Sequence, residues 1–162
     1  MKIGIATTLL LALATPALAH PSAEHDHGDT HHAAPIGETT FGRTGDPRKA
    51  TRSVTIEMSD TMRFAPAEIR VRQGETIRFL VTNPGKVMHE MVLGTLEELK
   101  AHAEQMRQDV HMEHDGAGMA QVQSGKRAIL VWQFSRPGEF YYACLIPGHF
   151  EAGMVGKVIV SK

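Results

Sequence analysis

"GEFYYACLIPGHFEAGMVGKVIV", residues 138–160, reads as a strand, a loop and a second strand. The loop brings a thiol, an imidazole and a thioether together at Cys144, His149 and Met154, in the order Cys-x4-His-x4-Met. Cys144 is the sole cysteine of the 162-residue chain. Each side chain alone has an ordinary explanation: a small buried cysteine, a hydrogen-bonded histidine, a packing methionine. Their shared loop asks for a common one.

Working outward, the pattern is one of short strands separated by turns. "SVTIEM" (53–58) alternates Val54, Ile56 and Met58 on one face, and "AEIRVRQGETIRFLVTN" (67–83) gives a strand ending at Arg72, a Gln-Gly turn, and a strand over 76–82. "NPG" (83–85) turns the chain before "VMHEMVLG" resumes the alternation, and "RAILVWQF" (127–134) precedes the opening hairpin-like unit. About seven strands at this spacing predict an all-β sandwich. One helix interrupts them near 95–108, "TLEELKAHAEQMRQ", where Thr95 and Glu98 form a capping box and Leu96, Leu99, Ala103 and Met106 share a face. The following "DVHMEHDGAGMAQVQSG" (109–125) reads as a long polar loop.

The N-terminus has a different character. Residues 1–19, "MKIGIATTLLLALATPALA", combine Lys2, an apolar run and small residues Ala17 and Ala19, the pattern of a cleaved secretory signal. That run is shorter than the ~20 residues a bilayer-spanning helix needs, and no later segment is apolar enough to insert. Residues 20–52 then read as a disordered, His-rich tail and linker, with the folded domain over 53–162. Loss of Lys2 from 17 basic residues leaves them two short of the 18 acids, so nothing points to nucleic acid. An exported chain enters an oxidising compartment, where a cysteine with no partner in its own chain is inert, reactive or occupied.

Occupation by a metal explains the most. Thiolate and thioether suit copper(I), and imidazole serves both copper oxidation states. A trigonal site needs a second imidazole. His89 is the best candidate, since it follows the "NPG" turn in a strand where it shares a face with Met91 and Leu93, opposite Met88, Glu90 and Val92.

At this point the chain resembles the cupredoxins, the type 1 copper proteins, over roughly Ser53 to Lys162. The resemblance implies a Greek-key β-sandwich holding one type 1 copper ion, with His89, Cys144 and His149 as equatorial ligands and Met154 as the weak axial one. "PGH" (147–149) and "GMVGKVIV" (153–160) look like the family's closing segment. "NPGKVMHEMVLG" (83–94), the helix and the His-rich leader look most like periplasmic copper-resistance cupredoxins. One departure concerns Glu90: blue electron carriers such as azurin have Asn after the first histidine ligand, so the hydrogen bonding around the thiolate is expected to differ.

Two further sets could hold metal. His20, His25, His27, His31 and His32 crowd the tail, and His111, Met112, His114 and Met119 crowd the loop after the helix. Spare metal capacity points to copper tolerance, by capture or oxidation of copper(I), with copper ions and a redox or copper-transfer protein as partners. The alternative is a soluble periplasmic electron carrier. An enzyme with a second, catalytic copper would place histidines beside the cysteine, where this chain has Ala143 and Leu145.

Overall fold

The computed structural model of the chain describes residues 37–108 and 116–162. Within them lie ten strands, β1 (Gly42–Thr44), β2 (Arg52–Ser59), β3 (Arg63–Ala65), β4 (Glu68–Arg72), β5 (Thr76–Thr82), β6 (His89–Gly94), β7 (Met119–Val122), β8 (Arg127–Phe134), β9 (Gly138–Ala143) and β10 (Val155–Ser161), and one α-helix, α1 (Leu96–Gln108). The strands form two five-stranded sheets, in the orders β1-β8-β5-β2-β3 and β4-β10-β9-β6-β7. Parallel pairings of β2 with β5 and of β4 with β10 close connections that cross between the sheets. The expected all-β sandwich with one inserted helix is what the chain adopts.

Alternation explains the core. Ile56 and Met58 of β2, Phe79 of β5 and Trp132 of β8 point inward from one sheet and meet Met91, Tyr142 and Val158 from the other. The second sheet is buried on both faces around β6, because α1 covers its outer side. Leu99, Ala103 and Met106 pack there on Val92, Ala143 and Leu145. Every residue of β6 is accordingly buried. The capping box forms as read: the Glu98 amide donates to Thr95 Oγ1 at 3.2 Å, and the Thr95 amide donates to Glu98 Oε2 at 2.9 Å.

The fold differs from the sequence expectation at its start and in strand number. Residues 41–52 read as linker, yet Phe41 is buried in the sandwich, 4.8 Å from the ring centroid of Phe140 and 5.5 Å from that of Trp132. Next to it β1 pairs with β8, Gly42 opposite Phe134. A Cβ on Gly42 would lie 2.4 Å from Trp132 Nε1, so only glycine lets the strand approach. Part of the stretch 109–125 read as loop is strand β7, which covers the free edge of β6. β1, β3 and β7 have only three or four residues each, too few to carry a legible period.

If Phe41 belongs to the core, Phe41→Ala costs about 3–5 kcal/mol in urea unfolding, the usual range for a buried aromatic. A chain begun at Ser53 should show a comparable loss, whereas a loss under about 1 kcal/mol would put residues 41–52 back outside the folded unit.

Candidate metal centre

The site is built where β6 begins and β9 ends. These strands pair antiparallel, Val92 opposite Ala143 and Leu93 opposite Tyr142. Beyond Val92 and Ala143 the main-chain ladder gives way to side chains. The Glu90 amide points at Cys144 Sγ, 3.4 Å away, and the Leu145 amide donates to Glu90 Oε1 at 2.9 Å. The strands thereby open by the width of a thiol without leaving the Leu145 amide unbonded.

The loop returning to β10 is tied to itself. The Cys144 amide donates to the Met154 carbonyl at 3.1 Å, the Met154 amide to the His149 carbonyl at 3.0 Å, and the His149 amide to the Ile146 carbonyl at 2.9 Å. Gly148, at φ +89°, supplies the left-handed turn that brings His149 back over Cys144. Arg63 of β3 reaches across to the Ala152 carbonyl at 2.8 Å.

The outcome is a convergence of donors. His149 Nδ1 lies 3.2 Å from Cys144 Sγ and 3.3 Å from His89 Nδ1. One donor atom from each of the three residues falls within 4.8 Å of the others. Ligands held roughly 2.0–2.3 Å from one ion stand at about such separations. His89 and Cys144 are fully buried, and His149 alone reaches solvent. Met154 is buried, with its backbone bonded to both Cys144 and His149. Thus the structure brings His89, Cys144 and His149 together, and joins Met154 to the last two through its backbone. Met119 instead packs with the helix-facing cluster, and His20, His25, His27, His31, His32, His111, Met112 and His114 lie outside the described residues, as does the signal segment.

Burial keeps Cys144 and His149 uncharged. Burial pushes the Cys144 thiol up to about 12, with the Glu90 carboxylate acting in the same direction and the amides of Glu90 and Ile146 opposing it. Burial, and next the neighbouring His89, hold His149 below the usual imidazole range. It is therefore neutral at pH 7.

Two residues that the sequence did not mark organise the approach to His89. Asn83, read there only as part of a turn, is buried and bonds three times: its Nδ2 donates to the carbonyls of Val87 at 2.8 Å and Val122 at 2.9 Å, and its Oδ1 accepts from the Gly85 amide at 3.0 Å. Asp60, in the turn between β2 and β3, accepts from the amides of Lys86 at 2.8 Å and Val87 at 3.3 Å, and lies 3.4 Å from His89 Nε2. First the Lys86 amide, and then the Val87 amide and His89, hold the Asp60 carboxyl below its usual range. No local signal links Asp60 to a histidine 29 positions later.

The fold and this donor set define a cupredoxin. The chain belongs to the copper binding proteins of the plastocyanin/azurin family, whose model matches residues 50–161. It is 51 % identical over 164 residues to the copper-resistant cuproprotein CopI of Rubrivivax gelatinosus, covering 99 % of each chain. It is 35 % identical to the protein of the same name from Vibrio cholerae, over 94 % of this chain and 96 % of that one. Among solved structures, auracyanin B superposes with a TM-score of 0.62 at 19 % identity, covering 80 % of this chain and all of that one. The azurin of Methylomonas sp. strain J superposes with 0.55 at 18 %, covering 70 % of this chain and all of that one.

Thiol accessibility tests the site without metal. Cys144 in the metal-free protein should resist alkylation at pH 8 and react promptly in denaturant, so fast labelling of the folded protein contradicts the burial described. Glu90→Ala orphans the Leu145 amide and should cost at least about 1–3 kcal/mol in unfolding, more than Glu90→Gln, which keeps an acceptor oxygen.

Proposed function

We propose that the chain is an exported, periplasmic copper protein of copper tolerance, cut after Ala19. Its type 1 centre is formed by His89, Cys144 and His149, with Met154 as the axial donor. The observation that carries this reading is the convergence of His89 Nδ1, at 3.3 Å, and Cys144 Sγ, at 3.2 Å, on His149 Nδ1, inside a family of copper binding proteins. The near end-to-end match to a copper-resistant cuproprotein supports tolerance as the task.

Copper bound there supplies a one-electron Cu(I)/Cu(II) couple. The residues suit both members of that couple. The Cys144 thiolate and Met154 thioether favour the soft ion, and the imidazoles accept either. Held by one sheet and a loop tied by its own amides, the donors have little freedom to rearrange when charge changes. His149, the one donor at the surface, is where copper or a protein partner would meet the centre. Capture or oxidation of copper(I) uses that geometry, and the tail histidines would add loosely held metal.

The second reading, a soluble electron carrier, is favoured by the same single, shielded donor set and by the shared fold with azurin and auracyanin. Growth separates the two. Deleting the gene should make cells copper-sensitive, restored by the wild type but not by His89→Ala. Unchanged copper tolerance with a respiratory defect would favour the carrier.

For the metal itself, the copper(II) protein should absorb intensely in the visible through thiolate-to-copper charge transfer, lost in Cys144→Ser. A colourless wild-type complex would sink the type 1 assignment. Because Cys144 is protonated and His149 neutral at pH 7, loading copper(II) should release about one proton per metal, read with an indicator dye in weak buffer. Release of none would mean that the thiol is not a ligand.

A further inference from the structure

The remote nitrogen of His89 has a consequence that rests on the copper reading above. The ring is wholly buried, and its Nδ1 is turned toward His149. Nε2 points the other way and makes no hydrogen bond; the carboxylate oxygen it faces is Asp60 Oδ1, at 3.4 Å. That separation is longer than a formed N–H···O bond, which has its mode near 2.9–3.0 Å. A metal on Nδ1 leaves the ring's one proton on Nε2. In a ring with no exposed surface, that proton needs an acceptor.

Asp60 is fixed in place to be one. Its carboxylate is anchored by the Lys86 and Val87 amides, three and two residues before His89. Gly85 leaves it room, since a Cβ there would lie 2.1 Å from Asp60 Oδ1. The same carboxylate therefore grips the segment leading into the ligand and faces the ligand's far side. An aspartate there is charged at neutral pH.

We propose that Asp60 is a positioning residue of the copper centre. Its carboxylate accepts the Nε2–H of metal-bound His89, and its negative charge, acting through the ring, favours copper(II) over copper(I). Asp60 touches no metal. Its effect runs through the orientation and electron donation of His89.

Two substitutions in the full mature chain separate charge from scaffolding. Asp60→Asn keeps at Oδ1 the oxygen that faces the Val87 amide, Nε2 and, at 3.1 Å, the Lys86 amide, but removes the charge and the Oδ2 acceptor, whereas Asp60→Ala removes all of these. Both variants are loaded with copper(II) and titrated potentiometrically, and copper(I) and copper(II) affinities are measured by competition. For Asp60→Asn we expect wild-type stoichiometry and a smaller loss of thermal stability than for Asp60→Ala, with the copper(II)-over-copper(I) preference down about tenfold. That raises the midpoint by ~59 mV for a one-electron couple. For Asp60→Ala we expect the same direction with weaker copper loading. In 15N-labelled protein loaded with diamagnetic silver(I), the His89 Nε2 proton should exchange slowly in the wild type and fast in Asp60→Ala. A midpoint unchanged in Asp60→Asn, with a shift only in Asp60→Ala, would leave Asp60 a holder of the turn and overturn the proposal. Failure of the copper reading itself is recognised separately, by a wild type that develops no charge-transfer absorption, and it removes the proposal too.

Discussion

The register between β6 and β9 is the constraint on which the site depends. Val92 opposite Ala143 places His89 and Cys144 on the sandwich side of their sheet. Val92 and Leu145 are left to the helix side. A slip of one residue would turn His89 away and present the Glu90 carboxylate to the sulfur, because side chains alternate with a period of two. Burial on both faces resists that slip: Met91 and Leu93 would exchange the sandwich for the helix, and Val92 the reverse. The chemistry of the centre is therefore protected by apolar packing several residues away from it.

Convergent donors are an unfavourable arrangement for a protein to hold without a cation. Three buried or half-buried groups face one another with few partners of their own, at a distance that only shared protons or a metal can satisfy. Their neighbours carry the cost. Loop amides closing on Ile146, His149 and Met154 carbonyls, Asn83 stitching the turn before β6, and α1 pressed on Leu145 each remove freedom that the donors would use to separate. Anything bound between the donors then stabilises the folded state by mass action. Pre-organisation and stability are linked through the same residues.

How far the sequence could be read follows from the range of each contact. Cys144, His149 and Met154 lie within one short loop, so spacing alone announced them, and His89 was found because a two-residue period put it on an apolar face. The seven longer strands and α1 carry enough residues to show a period. β1, β3 and β7 do not; they exist because longer strands have edges to cover. Phe41 was lost among the Gly, Pro and charged residues around it, although a lone aromatic in such a stretch is a reason to look for a place in the core. Asn83 was illegible as a site residue because turn chemistry explained it locally, and Asp60 because nothing near it in sequence marks it, while their partners lie on other strands or beyond the next turn.

Glu90 shows where family comparison and geometry divide. Set against an Asn in blue carriers, it led us to expect altered hydrogen bonding at the thiolate. In the fold, the group that points at Cys144 Sγ is the main-chain amide of residue 90, which any residue but proline supplies. The side chain bonds one residue further along, at the Leu145 amide. What the glutamate changes is therefore charge. A carboxylate beside Cys144 and another behind His89 bracket the donor set, and the first acts against loss of the thiol proton unless a cation takes its place. Such a bracket favours the more highly charged ion of a couple.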